Sequence, residues 1–247
     1  MELGLRGRTA IVCGASAGIG LGCAESLAEA GANVVMFARR QDVLEREAER
    51  VGGIPVVGDI TSAKDLERLV ATAVEVFGGV DVVVLNSGGP PRTKALDATD
   101  EQVESAARLL LLAPIRLVRL CRHHLEASGQ GRVIAITSSA VKEPVDNLAL
   151  TSGVRPALVG WLKVAARELG PAGVTVNCVA PGRIDTERIK EVYPDGPTEA
   201  DLATIPLRRL GTSREVGDVV CFLASDRGGY ISGTTIGVDG GLTRSLL

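Results

Sequence analysis

Three glycines at a fixed spacing could bring the protein backbone close to a phosphate group. Gly14, Gly18 and Gly20 lie between a short apolar run, Thr9–Cys13, and a segment with apolar residues at helical spacing, Ile19–Ala30. In such a strand-to-helix turn the first glycine permits the tight turn, the second lets the backbone approach a pyrophosphate, and the third allows close helix–sheet contact. The helix start adds free N–H groups. The predicted dinucleotide-binding residues of this turn are Gly14, Ser16, Ala17, Gly18, Ile19 and Gly20. The alternative is a purely structural turn.

The end of the second apolar run indicates which dinucleotide would bind. Sites for NAD place an acidic residue about 20 residues after the glycines, where it binds the ribose 2′-hydroxyl. Here Asn33–Phe37 is followed by Ala38, Arg39 and Arg40, which offer two guanidinium groups and no acid. Guanidinium groups form charge-assisted, often bidentate bonds with phosphate. Arg39 and Arg40 therefore predict NADP(H), bound through its 2′-phosphate. The alternative is a solvated charge pair at a helix start.

Strand-like and helical segments alternate along the chain of 247 residues. The predicted strands are mainly apolar runs: Thr9–Cys13, Asn33–Phe37, Ile54–Val57, Val80–Leu85, Arg132–Thr137, Val174–Val179 and Gly233–Val238. The predicted helices are Ile19–Ala30, Gln41–Arg50, Ala63–Phe77, Gln102–Leu125, Val154–Leu169 and Glu215–Ala224. This pattern predicts one α/β domain over residues 1–247, a doubly wound parallel sheet of Rossmann type in a three-layer sandwich. The loop-like stretch 183–206 predicts a lid.

The glycine spacing resembles the TGxxxGIG signature of short-chain dehydrogenases/reductases, with Cys13 in place of threonine. The resemblance extends over essentially the whole chain, and is to members similar to 3-oxoacyl-ACP reductases. Further matches to the family's cofactor-binding motifs are Asp59 and Ile60 after the third strand, Asn86, Ser87 and Gly88 after the fourth, and Pro181, Gly182, Ile184 and Thr186 after the sixth. The resemblance implies carbonyl reduction or alcohol oxidation with these residues at the cofactor.

The resemblance breaks at the catalytic groups. Members of the family use a serine, an asparagine and a Tyr-x-x-x-Lys pair, in which tyrosine is the acid–base and lysine binds ribose and lowers the tyrosine pKa. Ser138 matches the serine, but Thr151 stands at the tyrosine position, Arg155 at the lysine position and Leu110 at the asparagine position. An aliphatic hydroxyl ionises far above a phenol, and arginine does not give up its proton. We therefore predict an altered catalytic site of Ser138, Thr151 and Arg155, with Arg155 holding ribose or stabilising an oxyanion.

Other side chains are candidates for the missing acid. Lys142 and Glu143 follow Ser138 in the chain, and Tyr193 lies in the predicted lid. Charged loop residues are usually only solvated, which is the alternative for each. Two prolines lie near these groups in the predicted helices: Pro114 is expected to kink the long helix, and Pro156 to lie in an early helical turn.

Three functions are compatible with these residues. The first is an NADP(H)-dependent oxidoreductase with altered proton transfer. The second is a nucleotide-binding family member with little turnover, acting as a sensor or as a partner of an active homologue. The third is a non-redox enzyme, such as a dehydratase or decarboxylase, in which Arg155 polarises the substrate. Consumption of NADPH distinguishes the first from the others.

Composition limits the partners and the compartment. A net charge of −3 offers no basic field for nucleic acid or an anionic membrane. Five scattered cysteines form no CxxC pair and no metal-ligand spacing, which is typical of reduced thiols. The first residues lack the pattern of a signal peptide, and no apolar run is long enough to span a bilayer. We expect a cytoplasmic protein without a metal, acting on a small molecule. The family resemblance implies a homodimer or homotetramer.

Overall fold

Seven parallel strands form one sheet in the part of the chain that the computed structural model describes, residues 2–190 and 193–246. The strands are β1 (Thr9–Cys13), β2 (Asn33–Ala38), β3 (Ile54–Val57), β4 (Val82–Leu85), β5 (Arg132–Ile136), β6 (Thr175–Pro181) and β7 (Thr235–Val238). They lie in the order β3-β2-β1-β4-β5-β6-β7, and neighbouring strands are parallel. The predicted Rossmann-type sheet is confirmed.

Helices cover both faces of the sheet. They are α1 (Gly18–Glu29), α2 (Gln41–Val51), α3 (Ala63–Phe77), α4 (Asp100–Ala107), α5 (Ala113–Ala127), α6 (Ala149–Leu169), α7 (Glu187–Lys190), α8 (Glu199–Ala203) and α9 (Ser213–Ala224). Side chains alternate between the faces along a strand, so Ile11 and Cys13 of β1 join the core under α3, α5 and α6. Ala10 and Val12 join the core under α1, α2 and α9. The result is the three-layer sandwich that the sequence predicted.

Local signals explain why some boundaries were predictable. Helix α3 has the predicted bounds because both of its ends carry a signal in the sequence. The Ser62 hydroxyl accepts a hydrogen bond of 3.3 Å from the backbone N–H of Asp65, and Gly78 ends the helix with a φ of 85°. Such caps satisfy backbone groups that have no partner within the helix.

The long helix differs from its prediction at Pro114. The predicted helix consists of α4, a π-helical segment Arg108–Leu112 and α5, which follow one another without a break. The N–H of Ala113 donates to the carbonyl of Arg108, five residues back. A proline has no N–H to donate, and the widened π turn lies directly before it. The helical hydrogen bonding therefore continues through the segment, with a π turn just before Pro114.

Helix α6 begins earlier than the sequence predicted. It starts at Ala149, so Pro156 is its eighth residue and the prediction that Pro156 lies in an early turn is wrong. The preceding loop is held by the loop after β4, because Thr93 pairs with Leu148 in a parallel bridge. The N–H of Thr93 donates to the carbonyl of Asn147 at 2.9 Å. This long-range pairing sets the direction of the chain before the helix begins.

The predicted lid, residues 183–206, carries the two short helices α7 and α8. Its base is held by a parallel bridge between Ile184 and Gly211. Residues 191 and 192 lie outside the described residues. Among the helices that the structure describes, none has the length and apolarity needed to cross a bilayer.

The strand order places a crevice at one edge of the sheet. The chain leaves β1 in one direction and β4 in the other, and such a switch point opens a crevice outside the carboxyl ends of the strands. The segments after β1, β2, β3, β4, β5 and β6 meet at this edge. They contain nearly all residues with predicted roles.

Candidate active site

The turn after β1 requires its glycines. Gly14 has a φ of 63° and Gly18 a φ of 55°, in the left-handed region that side chains rarely adopt. A Cβ on Gly20 would lie 2.1 Å from the carbonyl oxygen of Gly14 and 2.8 Å from the Asn86 amide nitrogen. The turn therefore brings α1 as close to the sheet as a backbone can come.

The start of α1 is open to a ligand. Its N-cap residue is Ala17, which makes no side-chain cap, and its first turn has no acidic residue. Within the described part of the chain, the N–H groups of the first turn therefore have no intrahelical or side-chain partner, and they lie at the positive end of the helix dipole. This is the usual arrangement for binding a phosphate. Ser16, which precedes the cap, is 8% exposed.

The start of the lid borders the same turn. A Cβ on Gly18 would lie 3.3 Å from the methyl group of Thr186. Ile184 is buried, and the N–H of Gly182 donates to the carbonyl of Val238, which fixes the segment beside β7. The predicted nicotinamide segment, Pro181 to Thr186, therefore reaches the predicted pyrophosphate turn.

Two loops join the crevice from β3 and β4. The Asn86 side-chain amide donates to the carbonyl of Cys13 at 3.2 Å and ties the end of β4 to the end of β1. The Ser87 hydroxyl donates to the carbonyl of Gly88 at 3.1 Å. Asp59 accepts from the N–H and the hydroxyl of Thr61, at 2.8 and 2.7 Å, and Ile60 beside it is buried.

Both arginines after β2 are exposed at the crevice. The pKa of Asp59 lies below its ordinary value, mainly because Thr61 donates to it and partly because of the charge of Arg39. Arg39 is therefore near the end of β3. Arg40 forms an ion pair of 3.2 Å with Glu187 of α7, so the lid contacts the predicted 2′-phosphate site. The sequence did not suggest this pairing.

The predicted catalytic residues come from β5 and α6. Ser138 follows β5, and its hydroxyl oxygen accepts a 3.2 Å hydrogen bond from the N–H of Ala140. Thr151 and Arg155 are one helical turn apart on α6 and each is 7% exposed. The Thr151 hydroxyl makes no hydrogen bond to a described residue. It is not one of the fully buried polar atoms that lack a partner, so the exposed part of Thr151 includes its hydroxyl.

Arg155 is a buried cation. Its Nη1 donates to the carbonyl of Ile136, the last residue of β5, at 2.7 Å. Its Nε is buried with no partner, and it forms no ion pair within the described residues. Burial lowers the pKa of the guanidinium to about 10, and the positive charge of Arg188 contributes. The Ile136 carbonyl therefore holds the guanidinium at the carboxyl edge of the sheet.

Arg188 of α7 is a site residue that the sequence reasoning missed. Its Nη2 donates to the carbonyl of Pro90 at 2.8 Å and its Nη1 to that of Gly89 at 3.5 Å. The sequence did offer one signal for Arg188, its position two residues after the predicted nicotinamide segment Pro181–Thr186. Only the folded chain shows that it contacts the loop after β4 and acts on Arg155.

The substitute acids occupy different places. The Glu143 carboxylate accepts from the backbone N–H of Arg244 at 2.8 Å, and Lys142 is partly buried in the same loop. Tyr193 lies under the guanidinium of Arg183, with 5.8 Å from Cζ to the ring centroid. Leu110 is buried in the π segment. None of these contacts shows which side chain acts as the acid, so Lys142, Glu143 and Tyr193 stay predictions.

Known proteins are similar to this chain over nearly its whole length. The family model described as enoyl-(acyl carrier protein) reductase matches residues 14–243. Dehydrogenase/reductase SDR family member 4 of Oryctolagus cuniculus is 35% identical over 249 residues, covering 98% of this chain and 96% of the relative. The 3-oxoacyl-[acyl-carrier-protein] reductase FabG of Vibrio cholerae is 33% identical over 242 residues, covering 97% and 99%.

Solved structures give the same relationship. The L-sorbose reductase of Gluconobacter frateurii, in complex with NADPH and L-sorbose, superposes with a TM-score of 0.92 at 29% identity and covers 100% of both chains. YwfH, an NADPH-dependent reductase involved in bacilysin biosynthesis, has a TM-score of 0.92 at 28% identity and covers 97% of this chain and 99% of its own. With the family model and the relatives, these likenesses show that the chain belongs to the short-chain dehydrogenase/reductase family.

Proposed function

We propose that this protein is an NADP(H)-dependent oxidoreductase that acts on a carbonyl or alcohol substrate through an altered catalytic site. The observation that carries the cofactor assignment is the end of β2, where Ala38 is followed by two exposed arginines and no acid. A 2′-phosphate carries two negative charges, for which guanidinium groups are the matching donors. The names of the two solved relatives also include NADPH.

The residues present fit this cofactor. The backbone of the glycine turn and the open start of α1 would hold the diphosphate, and Arg39 and Arg40 the 2′-phosphate. Asp59 and Ile60 would lie beside the adenine, and the Pro181–Thr186 segment beside the nicotinamide. When bound, NADPH supplies a hydride to the substrate carbon.

The catalytic residues divide the remaining work. Because the Ser138 oxygen accepts the Ala140 N–H, its own O–H is free to donate to a substrate oxygen. The Thr151 hydroxyl has too high a pKa to act as the acid that a phenol provides. Arg155, with its pKa near 10, stays charged at neutral pH, so it would hold the ribose or stabilise an oxyanion by donating hydrogen bonds. The proton would therefore reach the substrate oxygen through water or through a lid residue.

Calorimetry with NADPH and NADH tests the cofactor assignment. Wild type should prefer NADPH, and Arg39→Ala with Arg40→Ala should remove the preference, because each lost charge-assisted bond costs on the order of 1.5–3 kcal/mol. Arg122→Ala is the control. Arg122 is similarly exposed, but it lies near the end of α5, which leads to the opposite edge of the sheet. Equal affinity of wild type for both cofactors would refute the assignment.

A second candidate function follows from the same catalytic residues. Because Thr151 and Arg155 provide neither a phenol nor a lysine, the chain could bind NADPH without turning it over. A panel of aldehydes and ketones, followed by NADPH absorbance, separates the two functions. Binding without consumption favours the nucleotide-binding member, and substrate loss without NADPH consumption favours a non-redox enzyme.

Assembly as a homodimer or homotetramer is a further part of the proposal. Three large apolar side chains on the helices α4 to α6 and the π segment are half exposed: Val103, Leu112 and Val164, at 45%, 49% and 55%. A second copy would bury such side chains. Light scattering of the purified chain tests this, and a monomer at micromolar concentration would contradict it.

A further inference from the structure

Two buried polar atoms without a hydrogen-bond partner lie at the amino edge of the sheet, where the strands begin, opposite the crevice. They are the Nε of Arg132, the first residue of β5, and the Oγ1 of Thr175, the first residue of β6. The two residues are partners in the parallel register, so their side chains point to the same face of the sheet. Arg132 is 4% exposed and Thr175 is 6% exposed. Both unpaired atoms therefore belong to one buried place in the fold.

The guanidinium of Arg132 uses one of its three nitrogens for hydrogen bonds within the described part of the chain. Its Nη1 donates to the carbonyl of Gly131 at 2.9 Å and to that of Gly173 at 3.5 Å. Nη2 makes no such bond and is not one of the fully buried atoms that lack a partner, so it reaches the surface. A Cβ on Gly229, in the loop after α9, would lie 3.6 Å from Nη2. Two neighbouring N–H groups of a guanidinium are the arrangement that binds anions.

The charges around Arg132 leave this place positive. A buried guanidinium is stable only when it is paired or supplied with strong acceptors. The carboxylate at the end of α9, Asp226, is paired with Arg8, and Arg132 forms no ion pair within the described residues. The pKa of Arg132 lies below its ordinary value, first because of burial and then because of the charge of Arg8, which outweighs the opposite effect of Asp226. The Asp81 carboxylate before β4 already accepts from a backbone N–H and from a hydroxyl.

We propose that Arg132 and Thr175 form a binding site for a small inorganic anion, such as chloride or phosphate, at the amino edge of the sheet. The Nε–H and Nη2–H groups of Arg132 and the hydroxyl of Thr175 would all donate to it. A neutral ligand would satisfy these donors but not the buried charge, so an anion is the matching ligand. The crevice lies at the opposite ends of the same strands. The inference therefore does not rest on the proposed function.

Thermal unfolding in increasing concentrations of sodium chloride or sodium phosphate tests the proposal. A ligand that binds only the folded chain raises Tm, and the rise follows the saturation of its site. At an anion concentration about ten times the dissociation constant, Tm of wild type should be higher by about 3–6 °C. Comparison of the two salts shows whether a halide or an oxyanion is preferred. Phosphate could also bind at the start of α1, so variants at the amino edge must locate the effect.

Two variants remove the donors, and two matched variants serve as controls. Arg132→Met should abolish the saturable rise in Tm, and Thr175→Val, which keeps the shape of the side chain, should weaken anion binding by about tenfold. Arg227→Met removes the same charge from an exposed position beside Asp226 and should keep the full rise. Thr9→Val removes the hydroxyl of another buried threonine at the amino edge and should keep it as well. Unfolding without added anion shows that each variant is folded.

Anomalous scattering gives a second readout that does not depend on Arg132→Met being folded. Crystals are soaked in bromide, which replaces chloride, or in arsenate, which replaces phosphate, according to the salt that raises Tm. A peak beside Arg132 Nε and Thr175 Oγ1 supports the proposal. The absence of a peak there would overturn it, and so would a Tm that does not saturate with either anion. An equal saturable rise in wild type and Thr175→Val would place the anion elsewhere and would also overturn it.

Discussion

Replacing Arg155 with methionine tests whether the chain maintains a costly buried charge. A tenfold change in an acid dissociation constant corresponds to about 1.4 kcal/mol, so lowering the pKa of Arg155 from its ordinary value to about 10 destabilises the fold by about 3 kcal/mol. Against this, the hydrogen bond to the Ile136 carbonyl contributes about 1.5–3 kcal/mol. The variant should therefore be as stable as wild type or up to about 1.5 kcal/mol more stable.

Thermal unfolding without ligand measures the difference. For a chain of this length each 1 kcal/mol shifts Tm by about 2–4 °C, so Tm should stay constant or rise by several degrees. The control is Leu158→Ala in the same helix, where Leu158 is 2% exposed. That variant loses about 2–5 kcal/mol, as large-to-small core changes do. A fall in Tm of more than about 4 °C for Arg155→Met would refute the reasoning.

The pH dependence of the free energy of unfolding tests independently whether the buried charge of Arg155 destabilises the fold. Because burial lowers the pKa of Arg155, the unfolded chain holds the proton more strongly than the folded one. The cost is fully present below about pH 10 and is relieved as the pH rises above that value. The free energy of unfolding of Arg155→Met minus that of wild type should therefore shrink between pH 9 and pH 11, as urea titrations would show. A difference that grows over this range would contradict the assignment.

Three further changes probe the crevice. Glu187→Gln should tighten NADPH binding by up to about fivefold at low salt, because an exposed pair of about 0.2–1 kcal/mol no longer competes for Arg40; calorimetry measures this. Gly20→Ala should abolish NADPH binding or folding, because its Cβ would overlap the backbone of the glycine turn; calorimetry and circular dichroism separate the two results. Thr151→Tyr with Arg155→Lys should raise ketone reduction by a factor within about 10²–10⁴, the usual contribution of a general acid, as followed by NADPH absorbance.

Matched controls accompany these changes. Glu199→Gln removes an exposed lid carboxylate in α8 and should leave NADPH affinity unchanged. If it tightens NADPH binding as much as Glu187→Gln does, the cause is the net charge of the lid and not competition for Arg40. Gly160→Ala has no atom within 4 Å of the new Cβ and should retain binding. For the double variant, a structure with the Tyr hydroxyl beyond hydrogen-bond reach of Ser138 would show that the alignment of Thr151 is wrong.

The sequence predicted the parts of this protein that local signals control. Apolar runs predicted the order of the strands, because burial on both faces of a parallel sheet leaves a nearly continuous apolar pattern. Apolar residues at helical spacing predicted the order of the helices. Helix α3 was predicted to the residue because Ser62 and Gly78 mark its ends within one turn. The glycine turn was equally clear, since its backbone conformation demands particular residue types.

The tertiary structure decided what depends on distant partners. Helix α6 begins at Ala149 beside a loop pairing that no local pattern indicates, and the apolar periodicity did not show the π turn before Pro114. The sequence showed Arg155 at the lysine position, but not that its guanidinium turns to Ile136 with Nε unpaired. Arg188 meets Pro90 from 98 residues away. Periodicity and capping act over a few residues, whereas charge balance in a crevice is set by side chains that only folding brings together.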